Sequence, residues 1–212
     1  MKKKEVRDLI YSKLNEVLSN KGFRLKKSRE CFVRSFTGGH QHISISIIDY
    51  RPEFIFSLTM AIRLDAVEQI FHLFSGSLSN YQALSTTTLT QLDYFTEGQV
   101  KEYKISTETE ILTALEKLSK IIIERIIPFF DKHCDIYSVE AGVNSKSLIG
   151  FDSTQFPSGA MHAVILAHLA GNPNFEELVG QFQDATRNFP EGEKDKFNQL
   201  VVYLRNYSSH SK

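Results

Sequence analysis

Between residues 6 and 18 the apolar side chains fall at three- and four-residue steps: Val6, Leu9, Ile10, Leu14, Val17 and Leu18. That spacing predicts an amphipathic helix with one apolar stripe. Asn20-Lys21-Gly22 supplies its stop, because glycine takes the left-handed conformation without a Cβ penalty. The period then changes to two. Phe32, Arg34 and Phe36 share one face of a short strand, Gly38-Gly39 predicts a turn, and Ile43, Ile45 and Ile47 alternate with Ser44 and Ser46. After a turn at Asp49-Tyr50-Arg51-Pro52-Glu53 comes the clearest alternation in the chain. Phe54, Phe56, Leu58, Met60, Ile62 and Leu64 fall on one side, and Ser57, Thr59 and Arg63 on the other. Connections this short predict an antiparallel meander with one face against a core.

A short helix follows over residues 65–75, with Asp65 as a capping residue and Val67, Ile70, Phe71 and Phe74 as its stripe. Residues 75–88, rich in Ser and Thr, read as a surface loop. A second hairpin is expected over Leu89–Phe95 and Gln99–Ile105 about Glu97-Gly98. A long helix is expected over Thr107–Lys132, opened by Thr107-Glu108-Thr109-Glu110 and ending near Pro128, with Ile111, Leu115, Leu118, Ile122 and Ile126 as its stripe. Its last turns are apolar nearly all round, so they are expected to be the most buried part of the fold. Residues 137–157, with scattered glycines and serines, read as irregular chain carrying at most one short strand. Three helices complete the pattern, over residues 158–170, 175–188 and 193–207, before a polar tail at 208–212. Ala160, Ala163, Ala167 and Ala170 on the first of these permit close helix approach. The fold class is therefore α+β: an antiparallel sheet of about five strands with an N-terminal helix and one long helix packed on it, plus a C-terminal three-helix segment. This divides the chain into an α+β domain (1–135), an irregular connection (136–157) and a helical segment (158–207). That last segment is either packed on the first domain or a separate lobe.

The order of helix, Lys21-Gly22-Phe23-Arg24-Leu25-Lys26-Lys27, the strand Phe32-Val33-Arg34 and further alternating strands resembles a group of bacterial proteins, the domain of unknown function 4304. The resemblance covers residues 1–130. It implies an α+β architecture and brings no activity or site residue with it.

The 212 residues, 42% hydrophobic and 24% charged, have the composition of a globular domain and exclude collagen-like and disordered chains. A chain of this length buries about 70% of its unfolded surface, so it needs no metal or disulfide to fold. Glu5, Arg7 and Asp8 interrupt any signal-peptide core, and the apolar stretch 121–130 is too short and too charged to span a bilayer. Cys31 and Cys134 have no metal-like spacing and are expected as free thiols. Together these predict a cytoplasmic protein with no membrane partner.

The formal net charge of zero hides an asymmetry, for residues 1–34 carry +7 and the remainder −7. Lys21, Arg24, Lys26, Lys27 and Arg29 form the candidate partner-binding set. Arg34 shares the face of Phe32 and Phe36, so it must reach the sheet edge or pair with an acid. The set fits another protein with an acidic surface. It also fits a merely solvated face offset by acids elsewhere. Nucleic acid fits less well, because only Phe23 stands among the charges to stack on a base and the −7 remainder repels a long polyanion.

Catalytic patterns are weak. His40-Gln41-His42 places two imidazoles on one strand face, but the other histidines (His72, His133, His162, His168, His210) are scattered. His162 and His168 stand about 240° apart around their helix. His133-Cys134 are chain neighbours, which rarely face each other. Asp93 with Glu102-Tyr103-Lys104 has the acid, acid-x-Lys pattern by which nucleases hold a divalent cation, and it is also what a solvated strand face looks like. No phosphate-binding glycine loop and no nucleophile elbow occurs. The sequence thus points to a non-catalytic interaction or regulatory protein, immunity- or adaptor-like, with no cofactor and no assigned catalytic or metal residue. The alternative is a nucleic-acid-binding protein or a metal-dependent nuclease using Asp93, Glu102 and Lys104.

Overall fold

The computed structural model describes residues 1–144, 157–185 and 187–207. In chain order the first elements are α1 (Lys3–Leu18), β1 (Arg24–Lys26), β2 (Cys31–Phe36), β3 (Gly39–Tyr50) and β4 (Glu53–Leu64). Then come α2 (Asp65–Phe71), α3 (Ser79–Gln82), β5 (Thr88–Gln91), α4 (Leu92–Phe95) and β6 (Tyr103–Ile105). Next are α5 (Glu108–Ile121) and α6 (Ile127–Lys132), joined by a π-turn at Ile122–Ile126. The last four are α7 (Ile136–Val143), α8 (Ser158–Ala170), α9 (Phe175–Ala185) and α10 (Glu191–Asn206). The chain forms two compact units. One holds Met1–Ile62 and Thr90–Cys134, the other Arg63–Leu89 and Asp135–Lys212. The stretch Arg63–Leu89 therefore groups with the C-terminal helices rather than with the sheet-bearing residues around it.

The strand order is β1-β2-β3-β4-β5, with β6 antiparallel to β4 through Phe54↔Ile105 and Phe56↔Tyr103. Phe54, Phe56, Leu58, Met60 and Ile62 are buried while Ser57 and Thr59 are half-buried, which is the register the alternation predicts. Val6, Ile10, Leu14 and Leu18 bury the stripe of α1, and α1 packs beside α5. The α5 start is capped as its sequence predicts. Thr107 Oγ1 accepts from Glu110 N at 3.3 Å, and Glu110 Oε2 accepts from Ser106 N at 2.6 Å and Thr107 N at 3.1 Å.

Four local expectations need correction. The β2–β3 turn is Thr37-Gly38, since Gly39 pairs with Phe36 inside the ladder. The expected hairpin over 89–105 is absent: β5 stops at Gln91, the chain coils into α4, and β6 pairs with β4. Side-chain hydrogen bonds compete with the ladder there. Thr96 Oγ1 donates to Val100 O and accepts from Val100 N, both at 2.9 Å, while Glu97 (φ 55°) and Gly98 (φ 79°) turn left-handed. The long helix reaches Lys132 as expected, with a π-turn at Ile122–Ile126 just before Pro128, but its end is more open than its composition predicts. Ile123 on that turn is 47% exposed, so these are not the most buried residues of the fold. Finally, Ile136–Val143 is a helix. Asp135 caps it by accepting from Ser138 N at 2.8 Å, and Val139 and Val143 give it a buried edge. Residues 145–156 of the expected connection and the 208–212 tail lie outside the described residues.

In the second unit α8 is the central element. Every residue from Gly159 to Ala167 is buried, and α2, α7, α9 and α10 all pack on it. A helix apolar all round needs neighbours all round, and alanines let them come close. Ala163→Leu should therefore cost about 1–3 kcal/mol by overpacking, read from a urea melt. An unchanged midpoint would mean that the helices do not pack tightly there. No helix among the described residues is long and apolar enough to cross a membrane.

Candidate functional site

The basic segment owes its position to two residues. Gly22 (φ 82°) ends the α1 turn, its N–H donating to Ser19 O at 3.2 Å, and reverses the chain. Phe23 then enters the core, 1% exposed, its ring 5.7 Å from that of Phe130. With Phe23 inserted, Arg24–Lys26 lies antiparallel to β2, Leu25 opposite Phe32 and Lys26 opposite Cys31. Lys21, Arg24, Lys26, Lys27 and Arg29 are all exposed.

Arg34 is not part of this exposed set. It pairs with Asp131 at 2.7 Å, donates from Nε to Gln41 Oε1 at 2.8 Å, and its guanidinium lies 5.0 Å from the Phe23 ring centroid. Gln41, 1% exposed, donates in turn to Phe130 O at 2.6 Å and His133 O at 3.3 Å. The end of α6 and the chain carrying the basic segment are thus held through one buried side chain. Gln41→Leu leaves the Arg34 Nε and two carbonyls short of a partner and should cost about 1–3 kcal/mol in urea unfolding. A loss under about 0.5 kcal/mol would contradict this bracing role.

A surface groove runs beside α1, against the chain from Phe23 to Glu30 and, at its Lys3 end, against Ile45 and Ile47 of β3. Contiguous cavities along it are lined by the cations Lys3, Lys4, Arg7, Arg24 and Lys27 against two acids, Asp8 and Glu30. Tyr11 forms part of the floor, its hydroxyl donating to Glu30 O at 2.7 Å. Burial, reinforced by the Glu30 and Cys31 charges, pushes its phenol up to about 12, so it stays neutral. Arg7 lies 3.5 Å from both Asp8 and Glu30. These ion pairs are exposed and weak, each worth about 0–1 kcal/mol, and leave the groove a positive surface. Lys3, Lys4 and Arg7 join the basic segment only because α1 lies beside β1, a proximity no local pattern reveals.

The other sequence candidates do not converge. His40 and His42 share a face of β3 with ring centroids 6.1 Å apart, and burial, then His40 and Arg29, lowers His42 to about 4. Asp93 sits in the α4 coil and accepts from Tyr94 N, Glu102 precedes β6, and Lys104 projects from β6 opposite Ile55. The hairpin that would have aligned these three residues is absent. His133 Nδ1 lies 2.8 Å from Phe129 O, while the exposed Cys134 lies 3.6 Å from Asp131 O. Both cysteines are free. Among the described residues no group of three or more His, Cys, Asp or Glu is arranged to hold a metal ion.

No family model matches the chain, and no curated protein or solved structure does either.

The second unit holds a polar cluster the sequence reading passed over. Glu68 of α2 is fully buried. Its Oε1 accepts from Thr87 Oγ1 at 2.8 Å, and that same Oγ1 accepts from Leu64 N at 2.9 Å. His162 Nε2 of α8 stands 3.1 Å from Oε1, close enough for an ion pair but not aligned as a hydrogen bond. Burial pushes the Glu68 carboxyl up, but the His162, Ser85 and Thr87 side chains outweigh it and bring the pKa down to about 2. His72, one turn on, lies with Nδ1 3.1 Å from Ser75 Oγ and Nε2 2.7 Å from Ser85 Oγ. Burial holds its pKa below the usual imidazole value despite the Glu68 charge. Arg63 Nη1 ties down the same loop through Gln82 O, Ser85 O and Ser85 Oγ at 2.8–3.0 Å. With Glu68 unexposed and the His72 and His162 side chains only 9% and 4% exposed, the cluster acts as a clamp on the loop. The available signal was Glu68 and His72 at i and i+4, just where an uncharged run from Gln69 to Leu92 begins.

Proposed function

We propose that this chain is a non-catalytic interaction protein whose first unit binds an acidic surface of a partner protein along the groove beside α1. The observation that carries this reading is the groove lining, in which Lys3, Lys4, Arg7, Arg24 and Lys27 face two acids on a surface with Lys21, Lys26 and Arg29 exposed nearby. Complementary charge steers such encounters and makes them salt-dependent. Scattered placement of Asp93, Glu102 and Lys104 weighs against the nuclease alternative.

The test is fluorescence anisotropy of a labelled octaglutamate peptide and, in parallel, a labelled DNA duplex, across a salt series. The expected result is binding of octaglutamate that weakens with salt and is lost in Lys26→Glu/Lys27→Glu. Equal binding by the variant would overturn the reading. So would tighter binding of the duplex with a log–log salt slope of about −3 to −4.5, which is the signature of four or five phosphate contacts.

A further inference from the structure

We infer that the partner segment binds in extended form, as a strand added along the free side of β1, and that it alternates acidic with uncharged residues. This rests on the acidic-partner reading above. Among the described residues β1 stands at the end of the strand order, with β2 on one side and no strand on the other. Part of the groove adjoins this strand. A cavity of about 660 Å³ has Phe23, Arg24, Leu25 and Lys27 along one wall. The opposite wall is Asp8, Tyr11, Ser12, Asn15 and Ser19, and steps of three, one, three and four residues put these on one face of α1. That face is about 16 Å long at 1.5 Å per residue, the length of about five residues of extended chain. A strand laid there satisfies the outward main-chain groups of β1, which a helical segment cannot do.

The register of β1 sets the side-chain pattern. Arg24 and Lys26 are exposed on one face, while Leu25, opposite Phe32, is half-buried on the other and lines the cavity. An added strand inherits the same alternation, so every second residue lies beside Arg24 and Lys26 and the intervening ones lie over Leu25 and Tyr11. Carboxylates suit the first set and small apolar or hydroxyl side chains the second. Cations on so short an edge also repel a second basic edge while attracting an anionic one. The same charges thus guard the strand and choose its partner.

The experiment uses the full chain and the labelled peptide Glu-Val-Glu-Val-Glu-Val-Glu in three forms: unmodified, N-methylated at the valines, and N-methylated at the inner glutamates. Alternate amides of an added strand point toward β1 and toward solvent. One methylated form should therefore lose at least tenfold in affinity while the other stays within about twofold of the parent. If both methylated forms bind like the parent, or both lose binding, strand addition is wrong although the charge reading stands. If the parent does not bind, or Arg24→Glu/Lys27→Glu leaves its affinity unchanged, the groove reading fails and this inference with it.

Discussion

Glu68→Ala is expected to destabilise the chain by about 1–3 kcal/mol, the cost of leaving buried polar groups without their partner. The substitution leaves the buried His162 ring and Thr87 hydroxyl without the carboxylate, because Glu68 Oε1 is within 3.1 Å of both. The acid response follows from the same contacts. The Glu68 pKa is held near 2, against an ordinary value of 4.5 in the unfolded chain. A carboxyl with a depressed folded-state pKa contributes its stabilisation fully above the unfolded value and loses it as pH falls through the folded one. Wild type should therefore lose about 3 kcal/mol between pH 5 and pH 2 from this group, whereas Glu68→Gln, less stable at pH 7, should converge on wild type over that window. Urea melts at pH 7, 5, 4, 3 and 2 read both effects. A Glu68→Gln variant with the wild-type acid response would show that the carboxylate is not the group that matters.

The second large effect is on binding. Arg24→Glu/Lys27→Glu should weaken affinity for an acidic peptide on the order of 30- to 900-fold at low salt. Each reversal removes an attraction of about 0.5–1 kcal/mol and adds a repulsion of similar size. Folding stability should stay within about 0.5 kcal/mol, since both side chains are exposed. The separation is the informative part: a comparable loss of stability would mean that the pair braces β1 rather than meeting a ligand.

What the sequence makes legible follows from the range of the interactions. The β4 face from Phe54 to Ile62, the α1 stripe, the Gly22 stop and the Thr107–Glu110 cap are set by neighbours along the chain, and period or capping chemistry reads them directly. Even the fate of Arg34 is legible, because a cation on the face of Phe32 needs an acid and finds Asp131. Elements decided by competition are not. Thr96 closes a coil where alternation favours a hairpin, and one carboxylate cap at Asp135 with two valines makes a helix of a glycine-containing stretch. The groove is legible only in half. Arg24, Lys26 and Lys27 stand out as a basic run, while Lys3, Lys4 and Arg7 belong with them through the packing of α1. Glu68 and His162 are paired by the fold alone, with nothing in either local sequence naming the other.

The most direct test is amide chemical-shift mapping of the 15N-labelled chain titrated with octaglutamate. Perturbations should gather at residues 3–8, 23–27 and 30, saturate together, and fade as salt is added. Shifts centred in the second unit, or none at peptide concentrations in the millimolar range, would contradict an acidic-partner groove beside α1.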